Sequence, residues 1–157
     1  MGQARSHFEH WFESAITFYE TFETNLAKGV TGPRFLRNAA FQLHQAAENL
    51  YHTLLLVFTG HKPKLHDLEK LKRLTGGFGK EILTIFPTVT EEERYRFQLL
   101  RRAYTEARYE PGYRIEKEDR DYLGERVCRL QEAVKPLCER RIAQYEEEAR
   151  EWKEGRG

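Results

Sequence analysis

The chain has 157 residues, a formal net charge of +1, and 39% hydrophobic and 13% aromatic residues. That length suits one continuous core, and so aromatic a composition excludes a chain that is disordered throughout. No apolar run nears the ~20 residues needed to span a bilayer, and the N-terminus lacks the basic-then-apolar order of a signal peptide, so a cytoplasmic protein is expected.

Ser6 and Glu9 have capping-box spacing, and Phe8, Trp11, Phe12, Ala15, Tyr19 and Phe22 follow at three- and four-residue steps, which predicts a first helix over 6–28. Met1 with Gly2 reads as a cloning remnant. Gly29, Gly32 and Pro33 interrupt the chain; residues 34–59 then contain neither Pro nor Gly. Ala39, Leu43, Ala46, Leu50, Leu54 and Val57 form the apolar stripe of a second helix there. After Gly60 and Pro63 a short helix is expected near 66–74. Gly76, Gly77 and Gly79 punctuate the next stretch, and another short helical turn ends before Pro87.

Thr90 and Glu93 make a second capping box, opening a helix with Phe97, Leu100, Tyr104 and Ala107 on one side that is expected to end before Pro111. Residues 110–115 read as loop. From about 117, Tyr122, Val127, Leu130, Val134 and Leu137 predict a last long helix, bent by Pro136. Beyond Tyr145 the chain is almost entirely charged and is expected to project into solvent or fray. The fold class expected is therefore all-α: an antiparallel four-helix bundle of the up-and-down type with one or two short extra helices, one domain over 1–157 with an acidic tail from about 146. Cys128 and Cys138 sit about 80° apart on the last helix, so neither a disulfide nor a metal pair is expected.

Helix two reads Ala39, Ala40, Phe41, Gln42, Leu43, His44, Gln45, Ala46, Ala47, Glu48, Asn49, Leu50. After Gly60 follow Lys64, Leu65, His66, Asp67, Leu68 and later Leu71, and a third block runs from Tyr104 through Ala107, Arg108 and Tyr109 to a proline. In order and spacing these three blocks resemble the HEPN family. The resemblance implies a dimer-forming helical domain, commonly encoded beside or fused to a minimal nucleotidyltransferase, with some members binding nucleotides and others acting as metal-independent ribonucleases. The ribonuclease members carry an arginine followed after four to six residues by a histidine, often with a tyrosine two further on. Here Arg102 is followed by Ala107 where the histidine would stand, and then by Tyr109.

Two other pairs have permissive spacing. Arg5 and His10 point about 140° apart on a helix, whereas Arg37 and His44 differ by about 20°, so only the second pair could share a site. Arg37, Phe41, His44, Gln45, Glu48, Tyr51, His52 and Leu55 lie opposite the aliphatic stripe of helix two. A mixed aromatic and polar face of this kind is expected to meet another helix, a second subunit or a ligand. Gln45 and Glu48 have a second reading as internal hydrogen-bond partners.

Charge is segregated along the chain: residues 94–108 carry five arginines, whereas residues 142–153 are acidic. Arg94, Arg101 and Arg108, seven apart, are expected on one line of the helix that opens at Thr90, as a solvated stripe or as a row of phosphate ligands. Tyr104 and Tyr109 beside them suit either core packing or base stacking. Lys62, Lys64 and His66 gather at the start of the short helix, where His66 or Asp67 either caps the helix or sits beside an anion.

The function expected is a non-catalytic nucleotide- or RNA-binding domain that forms a homodimer and works with a nucleotidyltransferase partner. Its binding candidates are Arg37, His44, Gln45, Glu48, Lys64, His66, Arg101, Tyr104, Arg108 and Tyr109. No cofactor, metal or membrane is expected. The alternatives are a ribonuclease toxin of a toxin–antitoxin pair, using Arg37 and His44, and a purely structural interaction module.

Overall fold

The computed structural model describes residues 2–156, so the reading of Met1 as a cloning remnant lies outside them, as does Gly157 at the end of the expected tail. The chain is all-helical: α1 (Ala4–Ala27), α2 (Pro33–Thr59), α3 (Leu68–Thr75), a 3₁₀ turn (Gly76–Phe78), α4 (Lys80–Thr84), α5 (Glu91–Arg102) and α6 (Lys117–Arg156). Among the described residues there is no strand.

The centre is α2. Pro33 starts it, in the first turn where a missing N–H costs nothing. Gly60 ends it at φ +73°, a left-handed conformation that closes its N–H onto the Leu56 carbonyl at 2.9 Å. Between them Ala40, Leu43, Ala46, Ala47, Leu50 and Leu54 are completely buried. The small alanine side chains let neighbours approach closely, and α2 makes its most extensive packing with α1 and with α6. Tyr145 on α6 donates its hydroxyl to the carbonyls of Val57 and Phe58 at 3.0 and 3.3 Å, satisfying two groups that the end of α2 leaves open. After Tyr145, α6 has no buried residue, yet it stays helical to Arg156 and projects into solvent. Helical conformation also runs through Pro136, whose missing N–H leaves one carbonyl of the preceding turn without its usual donor.

Three boundaries differ from expectation. The first helix begins at Ala4, so Ser6 lies inside it and caps nothing; burial of Ala4 and Phe8 carries the first turn onto the core and outweighs the local capping signal. The short third helix begins at Leu68, with Asp67 as its cap accepting from the Glu69 N–H at 2.9 Å, so His66 stands before the helix.

The third difference is in α5. Its capping box forms as expected, with Thr90 and Glu93 bonding each other's backbone N–H, but the helix stops at Arg102 and does not reach the residues before Pro111. Ala103 closes onto Leu100, an i→i−3 bond of 3.2 Å. The carbonyl of Leu99 instead accepts from the buried Tyr113 hydroxyl at 2.6 Å. The chain then winds through turns from Ala103 to Tyr109, pinned by the buried Ala103 and Ala107. Arg108 therefore does not continue the line of Arg94 and Arg101; it lies beyond the helix, over α2.

Tyr113 thus holds the geometry of the segment that carries Tyr104, Arg108 and Tyr109. Tyr113→Phe removes the donor and leaves a buried carbonyl bare, a loss of ~1–2 kcal/mol. Chemical denaturation of the variant should show a lower midpoint at unchanged slope; an unchanged midpoint would mean that the hydroxyl holds nothing.

Candidate functional site

Glu48 sits on α2 with 7% of its surface exposed, and a buried carboxylate requires donors. Its Oε1 lies 2.5 Å from His66 Nδ1, supplied by the loop between α2 and α3. One turn to either side on α2, His44 Nδ1 is 3.6 Å from Oε2 and His52 Nδ1 is 3.9 Å from Oε1, both beyond direct hydrogen bonding. Tyr104, from the turns after α5, stacks on the His66 ring at 4.5 Å and 12° and on the His44 ring at 5.4 Å and 28°. Two segments distant in sequence are thereby fastened to one face of α2.

Burial dominates the protonation of this knot. It pushes both His44 and His52 down to about 4, so both are neutral at pH 7. Burial also raises Glu48, with the His66 bond opposing it. His44 Nε2, His52 Nε2, Glu48 Oε2 and the fully buried Tyr51 hydroxyl have no hydrogen-bond partner. Beside the knot, His66, Asp67, Gln98, Arg101, Arg102, Tyr104 and Thr105 line an open cleft. Its cations are already matched: Arg101 pairs with Asp67 at 3.1 Å and Glu69 at 2.8 Å, and Arg102 with Glu106 at 2.6 Å.

A second cleft, of about 350 Å³, opens where the first turns of α2 meet the turns after α5. Arg34, Phe35, Arg37, Asn38, Ala107 and Arg108 line it. The Arg108 guanidinium lies 4.1 Å over the Phe41 ring and 5.3 Å from that of Tyr109, and Arg37 donates to the Pro111 carbonyl at 3.2 Å. Among the described residues none of Arg34, Arg37 and Arg108 has a carboxylate partner. Tyr109, next to Arg108 in the chain, is 71% exposed, and Phe35 in the cleft wall 42%.

The sequence candidates therefore fall into two groups. His44, Gln45, Glu48, His66 and Tyr104 belong to the knot, with Gln45 Oε1 3.4 Å from His44 Nδ1. Arg37 and Arg108 line the arginine cleft, and Tyr109 follows Arg108, whose guanidinium is 5.3 Å from its ring. Arg101 is ion-paired beside the knot, and Lys64 is exposed and lines neither cleft. Arg37 and His44 do not share a site: His44 is fully buried against Tyr104, while Arg37 faces Pro111. Sequence reasoning missed Arg34, Phe35 and Asn38, although Arg34, Arg37 and Asn38 have the three- and four-residue spacing of one helix face. Among the described residues no group of three or more His, Cys, Asp or Glu is arranged to hold a metal ion, and no helix is long and apolar enough to cross a membrane.

The buried imidazoles tie stability to acid. His44 and His52 take up protons on unfolding, because their folded values lie near 4 against an ordinary 6.5. Their contribution is complete above pH 6.5 and is lost as pH falls towards 4; Lys62 and His66, both repelling a charge on His52, act in the same sense. Glu48 has the opposite sign, favouring the fold at low pH, where its acid form predominates. Between pH 7 and 5 the histidines prevail, each by up to ~1.4 kcal/mol per pH unit. Thermal melts should show Tm falling across that interval; a flat profile would contradict neutral buried imidazoles.

The sequence pattern of the HEPN domain matches residues 8–137, from Phe8 in α1 to Leu137 in α6, and takes in both the knot and the arginine cleft. No curated protein matches the chain. With most of its 157 residues inside that match, the chain belongs to the HEPN domain family.

Proposed function

We propose that this HEPN domain is a non-catalytic binding module that holds the phosphate of a nucleotide or RNA in the Arg34, Arg37 and Arg108 cleft. The observation that carries the reading is three guanidiniums gathered in one cleft with no carboxylate among them. Guanidinium forks match phosphate oxygens, and the exposed rings of Phe35 in the cleft wall and of Tyr109 beside Arg108 provide faces on which a base stacks. Family membership points to the same nucleotide- and RNA-associated chemistry. The whole chain, 1–157, is read as one domain with α1, α2, α5 and α6 as an up-and-down four-helix bundle.

Non-catalysis rests on chemistry. Ala107, fully buried at the cleft wall, stands where the resemblance places a histidine, and loss of general acid or base help typically removes ~10² to 10⁴ in rate. His44 is a poor substitute, being enclosed and held neutral. The proposed homodimer and the nucleotidyltransferase partner rest on the family likeness. The second face of α2, a motive for expecting a dimer, is occupied in part by His66, Tyr104 and Arg108 of the same chain.

Two measurements test the reading. A ligand in hundredfold excess over its Kd stabilises by ~2.7 kcal/mol, so ATP, GTP or a short RNA should raise Tm on the order of 5–10 °C. Arg37→Gln with Arg108→Gln should abolish the rise, and the RNA should be recovered intact. An equal rise in the folded double variant would remove the cleft from consideration, and metal-independent cleavage lost in His44→Ala would favour the toxin reading. Separately, light scattering should give twice the 18.7 kDa chain mass; a monomer at high micromolar concentration would exclude the dimer.

A further inference from the structure

Two sets of like charge on this chain lack an opposite. In the arginine cleft, Phe41 lies beneath Arg108 and the Pro111 carbonyl holds Arg37, partners that fix position without cancelling charge. Arg34 stands 5.6 Å from the Phe35 ring, again an aromatic partner. The other set is on the overhang of α6, where residues 146–156 hold five glutamates against three basic residues. Glu146 pairs with Arg5 and Glu147 with Arg150. Among the described residues Glu148, Glu151 and Glu154 have no cation partner.

Successive residues of an α-helix turn by about 100° and rise about 1.5 Å. Glu148 and Glu154 thus lie about 60° to either side of Glu151, a carboxylate stripe about 9 Å long, while Lys153 points about 160° from Glu151 and Trp152 about 100°. This stripe does not meet the cleft of its own chain. Gly124 of α6 lies against Phe22, towards the end of α1, and Glu146 meets Arg5 in the first turn of α1. The last helix therefore runs opposite to α1 and leaves the bundle where α2 ends, beside Val57 and Phe58. The cleft is at the other end of α2, about 30 Å away, and an overhang of roughly 16 Å points away from it.

We propose that the arginine cleft receives the α6 overhang of a second copy of this chain, with Glu148, Glu151 and Glu154 against Arg34, Arg37 and Arg108. Each copy lends its overhang to the other, a two-fold exchange that matches both sets of charge and closes on itself. Guanidinium and carboxylate pair through two parallel hydrogen bonds, and complementary charge sets which surfaces meet and in what register. Trp152, about a quarter-turn from the stripe, stays in solvent. The cleft of one copy is thus incomplete, because its counter-charges belong to the partner. This contact rests on the unmatched charges and not on the phosphate reading.

The test is light scattering at low salt on the whole chain, on two charge-reversed variants shown by thermal melts to be folded, and on their mixture. One variant reverses the stripe, Glu148→Arg with Glu151→Arg, at exposed positions near a helix C-terminus, where added cations favour the helix. The other reverses the cleft, Arg34→Glu with Arg108→Glu; should it fail to fold, Arg34→Glu alone takes its place. Wild type should give twice the 18.7 kDa chain mass. Each variant alone should give the single mass, its self-association weakened at least about tenfold. The equimolar mixture should return to the double mass, because each reversed surface then meets its opposite, a rescue that damage to the fold does not produce. Added salt should weaken the wild-type pair. A double mass that persists in either folded variant, a mixture that stays at the single mass, or wild type at the single mass at high micromolar concentration would overturn the exchange. Failure of ATP and RNA to bind would remove the phosphate reading and leave these outcomes unchanged.

Discussion

Glu48 is a carboxylate that the packing of α2 takes out of water, and the fold around the candidate site follows from supplying it with a donor. The donor is His66, delivered by the loop that leaves α2 at Gly60. Once His66 is fixed, Asp67 is placed to cap α3 and to receive Arg101 from α5. Tyr104 then lies flat on the His66 ring, which sets the start of the turns ending in Arg108 and Tyr109. One desolvated charge thereby couples α2, α3 and α5. Removing the donor leaves a buried carboxyl group without its hydrogen-bond partner, which is costly, so the same contact that positions these segments also resists their separation.

The two clefts show that counting arginines is a poor guide to binding. Arg101 and Arg102 border an open cleft, but carboxylates within hydrogen-bonding distance cancel them. Arg37 and Arg108 are oriented by a carbonyl and an aromatic ring, so their order is obtained without loss of charge. For recognition of an anion, the identity of what holds the side chain matters as much as the side chain. The knot and the arginine cleft are accordingly complementary: one is an enclosed anchor, the other a cationic surface joined to it along the turns from Tyr104 to Arg108.

Much of this architecture was legible locally. Pro33, Gly60 and the Thr90–Glu93 box mark helix ends through backbone chemistry confined to one turn, and α2 and the start of α5 follow them. The polar second face of α2 was legible from its period, as was its meeting with another segment. What escaped depends on partners distant in sequence. Ser6 lost its capping role to burial of Ala4 and Phe8. The end of α5 depends on a tyrosine fourteen residues away taking the Leu99 carbonyl, and with it went the expected alignment of Arg108. Arg34 was overlooked because its significance comes from Arg108, which only the fold brings alongside.

The long overhang of α6 has a spectroscopic consequence. The chain has two tryptophans. Trp152 lies on the solvent-exposed stretch after Tyr145 and is 60% exposed, an environment that unfolding changes little. Trp11 is half-buried on α1, with the Lys62 ammonium 4.4 Å over its ring and His10 edge-on at 5.2 Å. Intrinsic emission therefore divides into a nearly constant background from the overhang and a responsive signal from the place where α1 meets the loop carrying Lys62 and His66. The protein carries a built-in fluorophore within a few residues of the segment that anchors Glu48.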